Sequence, residues 1–221
     1  TIIYNGVDNE YIANLSFNRS EVLKSIGCGD WEGNRILGTV SRISPEKGIL
    51  NLLFAFKNVV QDVPDLRLII VGGFPEEHKN YYQRVKSFIE KENLTECVRI
   101  LGYQKDALKI LKCMDFYISS SLSEGLPISI LEASASGIPT IATEIIGNKD
   151  ILLNSVFGVL VEPDSPKSLV HGIVKMVQLT QNERKIITQN ASNRVKNYFS
   201  IEEMVRKTDL LYKQVLNNNS I

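Results

Sequence analysis

The sequence predicts an α/β fold in which a parallel sheet is covered by helices on both faces. Short, continuously apolar segments alternate along the chain with segments whose apolar residues recur at helical spacing. Strands that are buried on both faces carry such uninterrupted apolar runs, and strands connected through helices pair in parallel. The sequence contains no low-complexity segment and no repeat of about 20 to 50 residues that would indicate a solenoid instead.

The elements are predicted in the following order. A short β-branched run and a turn at Asn5-Gly6 precede a brief helix capped by Ser20. Strands are predicted at residues 35–40, 66–73, 97–102, 115–121, 138–143 and 157–163. Helices are predicted between the strands at residues 48–60, 81–93, 106–114 and 127–136, and three amphipathic helices complete the chain.

Composition limits the class of protein. The 221 residues suffice for one α/β domain with a helical tail. Lys plus Arg and Asp plus Glu both number 25, so the net charge is zero, which argues against nucleic acid as a partner. Cys28, Cys97 and Cys113 are odd in number and far apart, which favours reduced thiols in a cytoplasmic protein over disulfides or zinc. No run approaches the roughly 18 apolar residues of a membrane span.

Ligands of open parallel α/β sheets bind beyond the carboxyl ends of the strands, near the point where strand order reverses. The loops that follow the predicted strands contain most of the unusual chemistry of this sequence. We therefore expect the functional site to be built from residues 41–48, 71–77, 101–106 and 121–127.

The most specific signal is the segment SEGLPISILEA at residues 123–133. Gly125 and Pro127 stand where a buried strand turns into a helix, and they leave the amides of the first helical turn accessible. Those amides and the helix dipole form an anion site suited to phosphate. Glu132 lies on an otherwise apolar helix, where its carboxylate needs a partner such as a ribose diol. The alternative is that Glu124 and Glu132 are only acidic residues favoured by the helix dipole.

A second constellation follows the first strong strand. Arg42 and Lys47 flank Ser44 and Pro45, and two cations at the carboxyl end of a strand can neutralise a diphosphate. An Arg and a Lys five residues apart in a loop more often form a solvated surface. Here the loop opens a helix at Lys47-Gly48, which favours the functional interpretation.

Four segments resemble one family. SRISPEKG resembles the G-R-L-x-x-x-K-G loop of the family-4 (group 1) retaining glycosyltransferases, and SEGLPISILEASASGIPTIAT resembles their E-x7-E segment. IIYNGVD is similar to the linker that enters the family's C-terminal domain, and YFSIEEMVRKTDLLYKQVL is similar to its closing helix. The resemblance covers nearly the whole chain and implies a Rossmann-like domain, one half of the two-domain GT-B architecture.

The resemblance implies roles for individual residues. Arg42 and Lys47 would bind the donor diphosphate and stabilise its charge as it leaves, and Glu124 would lie against the donor sugar. Glu132 would hold the ribose hydroxyls. The remaining substrate contacts are expected from Gly125, Leu126, Pro127 and Ile128 at the phosphate, from Tyr103 at the base and from Gly72. The sequence departs from the family pattern at Ser41, where glycine is usual, and at Gly72-Gly73-Phe74-Pro75.

The same resemblance gives a domain plan: residues 1–15 as the interdomain linker, 16–198 as the donor-binding domain and 199–221 as the C-terminal helix. The N-terminal acceptor domain is expected to be absent from this chain. The donor is expected to be a UDP-sugar first and a GDP-sugar second, and the acceptor a glycan or lipid-linked glycan bound through that missing domain. The location is expected to be cytoplasmic, with peripheral attachment to the inner face of the membrane as a further option.

No metal or other cofactor is expected, because the sequence lacks an Asp-x-Asp motif and a clustered set of ligands. His78 and His171 are expected to be structural or exposed to solvent. A P-loop signature and a G-x-G-x-x-G turn are also missing. Two alternatives stay open: a nucleotide-sugar epimerase of the GT-B type, and a non-catalytic domain that binds sugar nucleotides.

Overall fold

The computed structural model describes residues 2–218, and its centre is a six-stranded sheet in which all neighbouring strands run parallel. The strands are β1 (Arg35–Val40), β2 (Leu66–Val71), β3 (Val98–Gly102), β4 (Phe116–Ser119), β5 (Thr140–Thr143) and β6 (Val159–Val161). Their order across the sheet is β3-β2-β1-β4-β5-β6. Strand order therefore reverses between β1 and β4, which is where parallel α/β sheets form a ligand crevice.

Helices cover both faces of this sheet. They are α1 (Asn9–Asn14), α2 (Arg19–Ser25), α3 (Ile49–Asp62), α4 (Lys79–Lys91), α5 (Ala107–Lys112), α6 (Ile128–Ala135), α7 (Ile146–Leu152), α8 (Pro166–Gln178), α9 (Gln181–Tyr198) and α10 (Ile201–Asn218). One core cluster joins α3, α4 and α8 to the sheet, and a second joins α5, α6, α7 and α9 to the opposite face. The predicted fold class is confirmed.

Alternate residues of each strand supply the two core clusters. In β1, Leu37 belongs to the cluster under α3 and Ile36 to the cluster under α6, and both are fully buried. Phe116 and Tyr117 of β4 divide in the same way. Because both faces are apolar, these strands show the continuous hydrophobic runs from which they were predicted.

Some predicted boundaries are wrong for identifiable reasons. Asn18, not Ser20, caps α2, because its side chain accepts a hydrogen bond from the Glu21 amide at 3.3 Å. The Ser20 hydroxyl donates instead to Glu32 at 2.9 Å. The second strand ends at Val71, since Gly72 takes a φ of +143° that a strand does not permit.

The structure contains two short helices that the sequence did not predict, α1 and α7. Asp8 caps α1 by accepting from the Tyr11 amide at 2.8 Å. Helix α7 follows β5 after only two residues and has no side-chain cap. Such short elements owe their stability to tertiary packing and carry little periodicity of their own.

Candidate functional site

The loops after β1 and β4 are bonded to each other. The Ser120 hydroxyl donates to the Lys47 carbonyl at 2.8 Å, and the Leu122 amide donates to the Glu46 carbonyl at 2.7 Å. Gly48 makes this approach possible, because it has a φ of +62° and a Cβ there would overlap the Ser120 carbonyl oxygen. Two motifs that are far apart in sequence thus form one surface at the reversal of strand order.

Lys47 and Glu124 form an ion pair across these loops. Lys47 Nζ lies 2.6 Å from Glu124 Oε1, and the two side chains are 13% and 17% exposed. The Ser121 hydroxyl donates to the same carboxylate oxygen at 2.8 Å. A pair this sheltered is favourable only with close geometry and further hydrogen bonds, and Ser121 supplies one.

Arg42 lies at the outer side of the same loop. Its side chain is 66% exposed, and its guanidinium is 3.8 Å from Glu46, which is a long ion pair. The Ser44 hydroxyl donates to Glu46 and is the main cause of the lowered pKa of that carboxyl. His78 Nε2, which we expected to be only structural or exposed, also lies 4.0 Å from Glu46. The Arg42 guanidinium is therefore accessible to an anion.

The amino terminus of α6 lies beside the ion pair. No side chain caps it, and Pro127 occupies the cap position without an N–H of its own. The amides of Ile128 and Ser129 belong to the first turn, whose N–H groups have no acceptor within a helix. A Cβ on Gly125, two residues before the cap, would meet nothing within 4 Å, so the space beside Gly125 is open. This arrangement can accept a phosphate group.

Glu132 lies one helical turn beyond Ile128 on the same side of α6. Its side chain is half-buried, and within residues 2–218 its carboxylate has no hydrogen bond or ion pair. Burial raises the pKa of Glu132. A sheltered carboxylate without a protein partner is costly, which is expected where a ligand supplies the missing donors.

Gly72 and Tyr103 are placed differently from these groups. The Gly72 amide already donates to the Gly102 carbonyl at 2.8 Å, and a Cβ on Gly72 would overlap the Ser41 carbonyl oxygen. Gly72 therefore joins the loops after β1 and β2 by close backbone approach. Tyr103 is 82% exposed at the end of β3, two strands or about 10 Å from β1. The structure does not bring Tyr103 into contact with the charged groups.

Sequence reasoning missed the residues behind the β4 loop. Thr143 ends β5 and donates its hydroxyl hydrogen to the Ser121 carbonyl, and Asn148 of α7 in turn donates to Thr143. Gly147 packs so closely on the Gly125 carbonyl that a Cβ would overlap it. No local sequence pattern indicated these residues, because their hydrogen bonds join β5 and α7 to the loop after β4.

Two other kinds of site, a metal centre and a membrane-spanning helix, are absent from residues 2–218. No group of three or more His, Cys, Asp and Glu side chains there is arranged to hold a metal ion. None of the helices in this range combines the length and apolarity needed to cross a membrane. Cys28, Cys97 and Cys113 are free thiols, and burial is the main cause of their raised pKa values.

The parallel sheet and the charged loops after β1 and β4 define a class of protein. Comparison with known proteins identifies the same class. The family model described as "Glycosyl transferases group 1" matches residues 29–194, and the chain belongs to this family. The chain is 30% identical over 222 residues to the Escherichia coli UDP-Gal:alpha-D-GlcNAc-diphosphoundecaprenol alpha-1,3-galactosyltransferase. That match covers 99% of this chain and 55% of the galactosyltransferase.

Solved structures agree with this assignment. A glycosyltransferase from Rickettsia africae ESF-5 matches with a TM-score of 0.91 and 29% identity, over 99% of this chain and 57% of that chain. Anabaena Alr3699/HepE in complex with UDP-glucose matches with a TM-score of 0.86 and 22% identity, over 97% and 57% of the two chains, which concerns the fold alone. The chain therefore spans about half the length of these three proteins.

Proposed function

We propose that this chain is the donor-binding half of a retaining glycosyltransferase, which transfers a sugar from a nucleoside diphosphate sugar to an acceptor hydroxyl. The observation that carries the proposal is the Lys47–Glu124 ion pair beside the uncapped amino terminus of α6, the helix that also carries the unpartnered Glu132 carboxylate. Cations and amides suit a diphosphate, and carboxylates suit the hydroxyls on either side of it. A nucleotide sugar presents those groups in that order.

In this proposal, the chain itself neutralises the leaving group. Arg42 and Lys47 contact the diphosphate oxygens, and the first-turn amides of α6 donate to the phosphate nearer the helix. As the bond to the anomeric carbon breaks, the negative charge grows on the diphosphate, and these donors are already in place to stabilise it. No metal is needed for this step, because two cations and a helix terminus supply the positive charge.

The two carboxylates act on either side of the diphosphate. Glu132 accepts hydrogen bonds from the ribose diol, which explains why a half-buried glutamate has no protein partner. Glu124 lies against the donor sugar, orients it through its hydroxyls and stabilises positive charge at the anomeric carbon. Retention of configuration belongs to the proposal through the resemblance of residues 41–48 and 123–143 to the retaining family.

The substrates are proposed by analogy. UDP is the first choice of nucleotide, because the E. coli relative is named for UDP-Gal and the Anabaena neighbour holds UDP-glucose, and GDP is the second. The acceptor is a glycan or lipid-linked glycan, bound through a partner domain, in polysaccharide or glycolipid assembly. We place the reaction in the cytoplasm, at the inner face of the membrane when the acceptor is a lipid.

The domain plan remains part of the proposal: residues 1–15 connect to the acceptor domain, residues 16–198 bind the donor and residues 199–221 contain the closing helix, which is α10. Residue 1 and residues 219–221 of this plan lie outside the described residues. In the described structure the Val7 amide donates to the Phe199 carbonyl at 2.9 Å, so the two ends of this unit meet. Because the acceptor groups belong to the other half, the chain alone is expected to bind donor without efficient transfer.

Calorimetric titration with UDP, GDP, ADP and their sugar conjugates tests the proposal. One nucleoside diphosphate should bind selectively, and Arg42→Ala and Glu132→Ala should each weaken it about tenfold or more, as loss of a charged hydrogen-bonding partner does. Lys175→Ala, on the distant helix α8, is the matched loss of a cation and should leave binding unchanged. Equal affinity of the wild type and both site variants would overturn the proposal.

A further inference from the structure

A line of hydrogen bonds runs from helix α7 to the candidate site. The Asn148 side-chain amide donates to the Thr143 carbonyl at 2.8 Å and to the Thr143 hydroxyl at 3.2 Å. The Thr143 hydroxyl donates to the Ser121 carbonyl. Asn148 is fully buried and Thr143 nearly so, which means that water does not compete for these bonds.

Ser121 connects this line to the ion pair. Its carbonyl accepts from Thr143, and its hydroxyl donates to Glu124 Oε1 at 2.8 Å. The same oxygen is 2.6 Å from Lys47 Nζ. The position of the Glu124 carboxylate therefore depends on Ser121, and the position of Ser121 depends on Thr143.

One group in this line of hydrogen bonds lowers the stability of the folded chain, which indicates that the line does more than fill space. Asn148 Oδ1 is buried and has no hydrogen-bond partner within the described residues. An aliphatic side chain of similar size would avoid this unsatisfied acceptor. The amide is useful only through its N–H groups, and both of their acceptors belong to Thr143.

Helix α7 also supports the loop through its backbone. Gly147, the residue before Asn148, packs directly on the Gly125 carbonyl and close to Leu126. The segment 121–126 is therefore held from behind at two places, by Thr143 at its start and by Gly147 at its end. A rigid support of this kind is what a precisely placed binding group requires.

We infer that Thr143 and Asn148 are positioning residues that hold the Glu124 carboxylate against the donor sugar and so determine the preference for a nucleotide sugar over the bare nucleotide. This inference rests on the proposed function, because it assigns Glu124 to the sugar. Neither residue touches the ligand. Their effect passes through the Ser121 carbonyl to Glu124. The diphosphate contact of Arg42 is independent of this line, whereas Lys47 is coupled to it through the ion pair with Glu124.

The test measures the affinities for UDP and UDP-galactose in Thr143→Val, which removes the hydroxyl at nearly constant volume. The ratio of the two affinities should fall about tenfold, the effect of one buried hydrogen bond, while UDP affinity stays within about twofold. Thr143→Ser keeps the hydroxyl and should restore the ratio. Ser134→Ala removes a buried hydroxyl without a partner and should change neither affinity.

A double-mutant cycle separates positioning from a merely structural role. In a Glu124→Gln background, Thr143→Val should have little further effect on the ratio, because both changes act on the same carboxylate. An additive effect, or an unchanged ratio in Thr143→Val alone, would overturn the inference. Asn148→Ala should also lower the ratio of the two affinities, and it replaces Thr143→Val in this test if that variant does not fold.

Failure of the proposed function gives a different result. If the wild type binds none of these nucleotides, the donor assignment fails. The positioning role of Thr143 and Asn148 is then tested on the Lys47–Glu124 ion pair of the ligand-free protein. The NMR chemical shift of Lys47 Cε, assigned with Lys47→Arg, reports that pair. In Thr143→Val it should move toward its value in Glu124→Gln, and an unchanged shift would contradict the positioning role.

Discussion

At the residue scale, the candidate site is defined by opposite charges that are only partly paired. Two cations, Arg42 and Lys47, share it with three carboxylates, those of Glu46, Glu124 and Glu132. A bare diphosphate would meet almost as much repulsion as attraction in such a site. A diphosphate that carries hydroxyls on both sides satisfies the cations and the carboxylates together.

Glu132 is expected to lower the free energy of unfolding of the ligand-free protein. Glu132→Gln is expected to raise the free energy of unfolding at pH 7 by about 1 kcal/mol, because it removes an unpartnered charge from a half-buried position. The same change should weaken nucleotide binding. Urea denaturation checks the first effect, and Glu96→Gln, at an exposed position, should alter stability by less than about 0.5 kcal/mol. A destabilised Glu132→Gln would mean that the carboxylate has a protein partner after all.

The raised pKa of Glu132 also predicts a pH dependence. The Glu132 carboxyl binds a proton more readily in the native state than in the unfolded state. The free-energy penalty of its buried charge is therefore absent below the unfolded pKa and appears as pH rises through the folded pKa. Donor binding, which needs the charged form, should therefore weaken as pH falls through that raised pKa. Titration with UDP-galactose, whose diphosphate has no ionisable proton near this range, should show the loss in the wild type and a flat profile in Glu132→Gln. Parallel profiles would contradict the assignment.

At the element scale, the site depends on close contacts between loops and helices that only glycine permits. Gly147→Ala is expected to destabilise the chain by about 2 to 3 kcal/mol, because its Cβ would overlap the Gly125 carbonyl where α7 meets the β4 loop. Gly125→Ala, whose Cβ would enter open space, should cost less than about 1 kcal/mol. Thermal unfolding measures both variants, and equal losses would show that this contact is not tight.

The accuracy of the sequence predictions also differs from element to element. The strands and the helices α3, α4 and α6 were predictable. Strands buried on both faces have continuous apolar runs, and helices packed on a sheet have apolar residues at helical spacing. That Lys47 and Glu124 belong to one site was expected from the strand ends and from family resemblance, whereas their direct ion pair was not predicted. Helix α7 and the bonds from Asn148 to Thr143 were not predictable, because they depend on contacts between β5 and the β4 loop that no local pattern encodes.

At the scale of the whole molecule, the strand order explains why the site lies where it does. Strand order reverses between β1 and β4, and the loops after these two strands meet there through hydrogen bonds and through the Lys47–Glu124 ion pair. Arg42 is 66% exposed at the outer side of this surface. We expect the donor to bind here.

Amide chemical-shift mapping during titration with UDP-galactose tests where the donor binds. We expect the shifts to change around residues 41–48 and 123–132, and Arg42→Ala to reduce the changes in both segments. Shift changes concentrated instead at the β3 edge, around Tyr82, Lys86 and Arg99, would show that this expectation is wrong, because that surface cavity contains no residue of either segment.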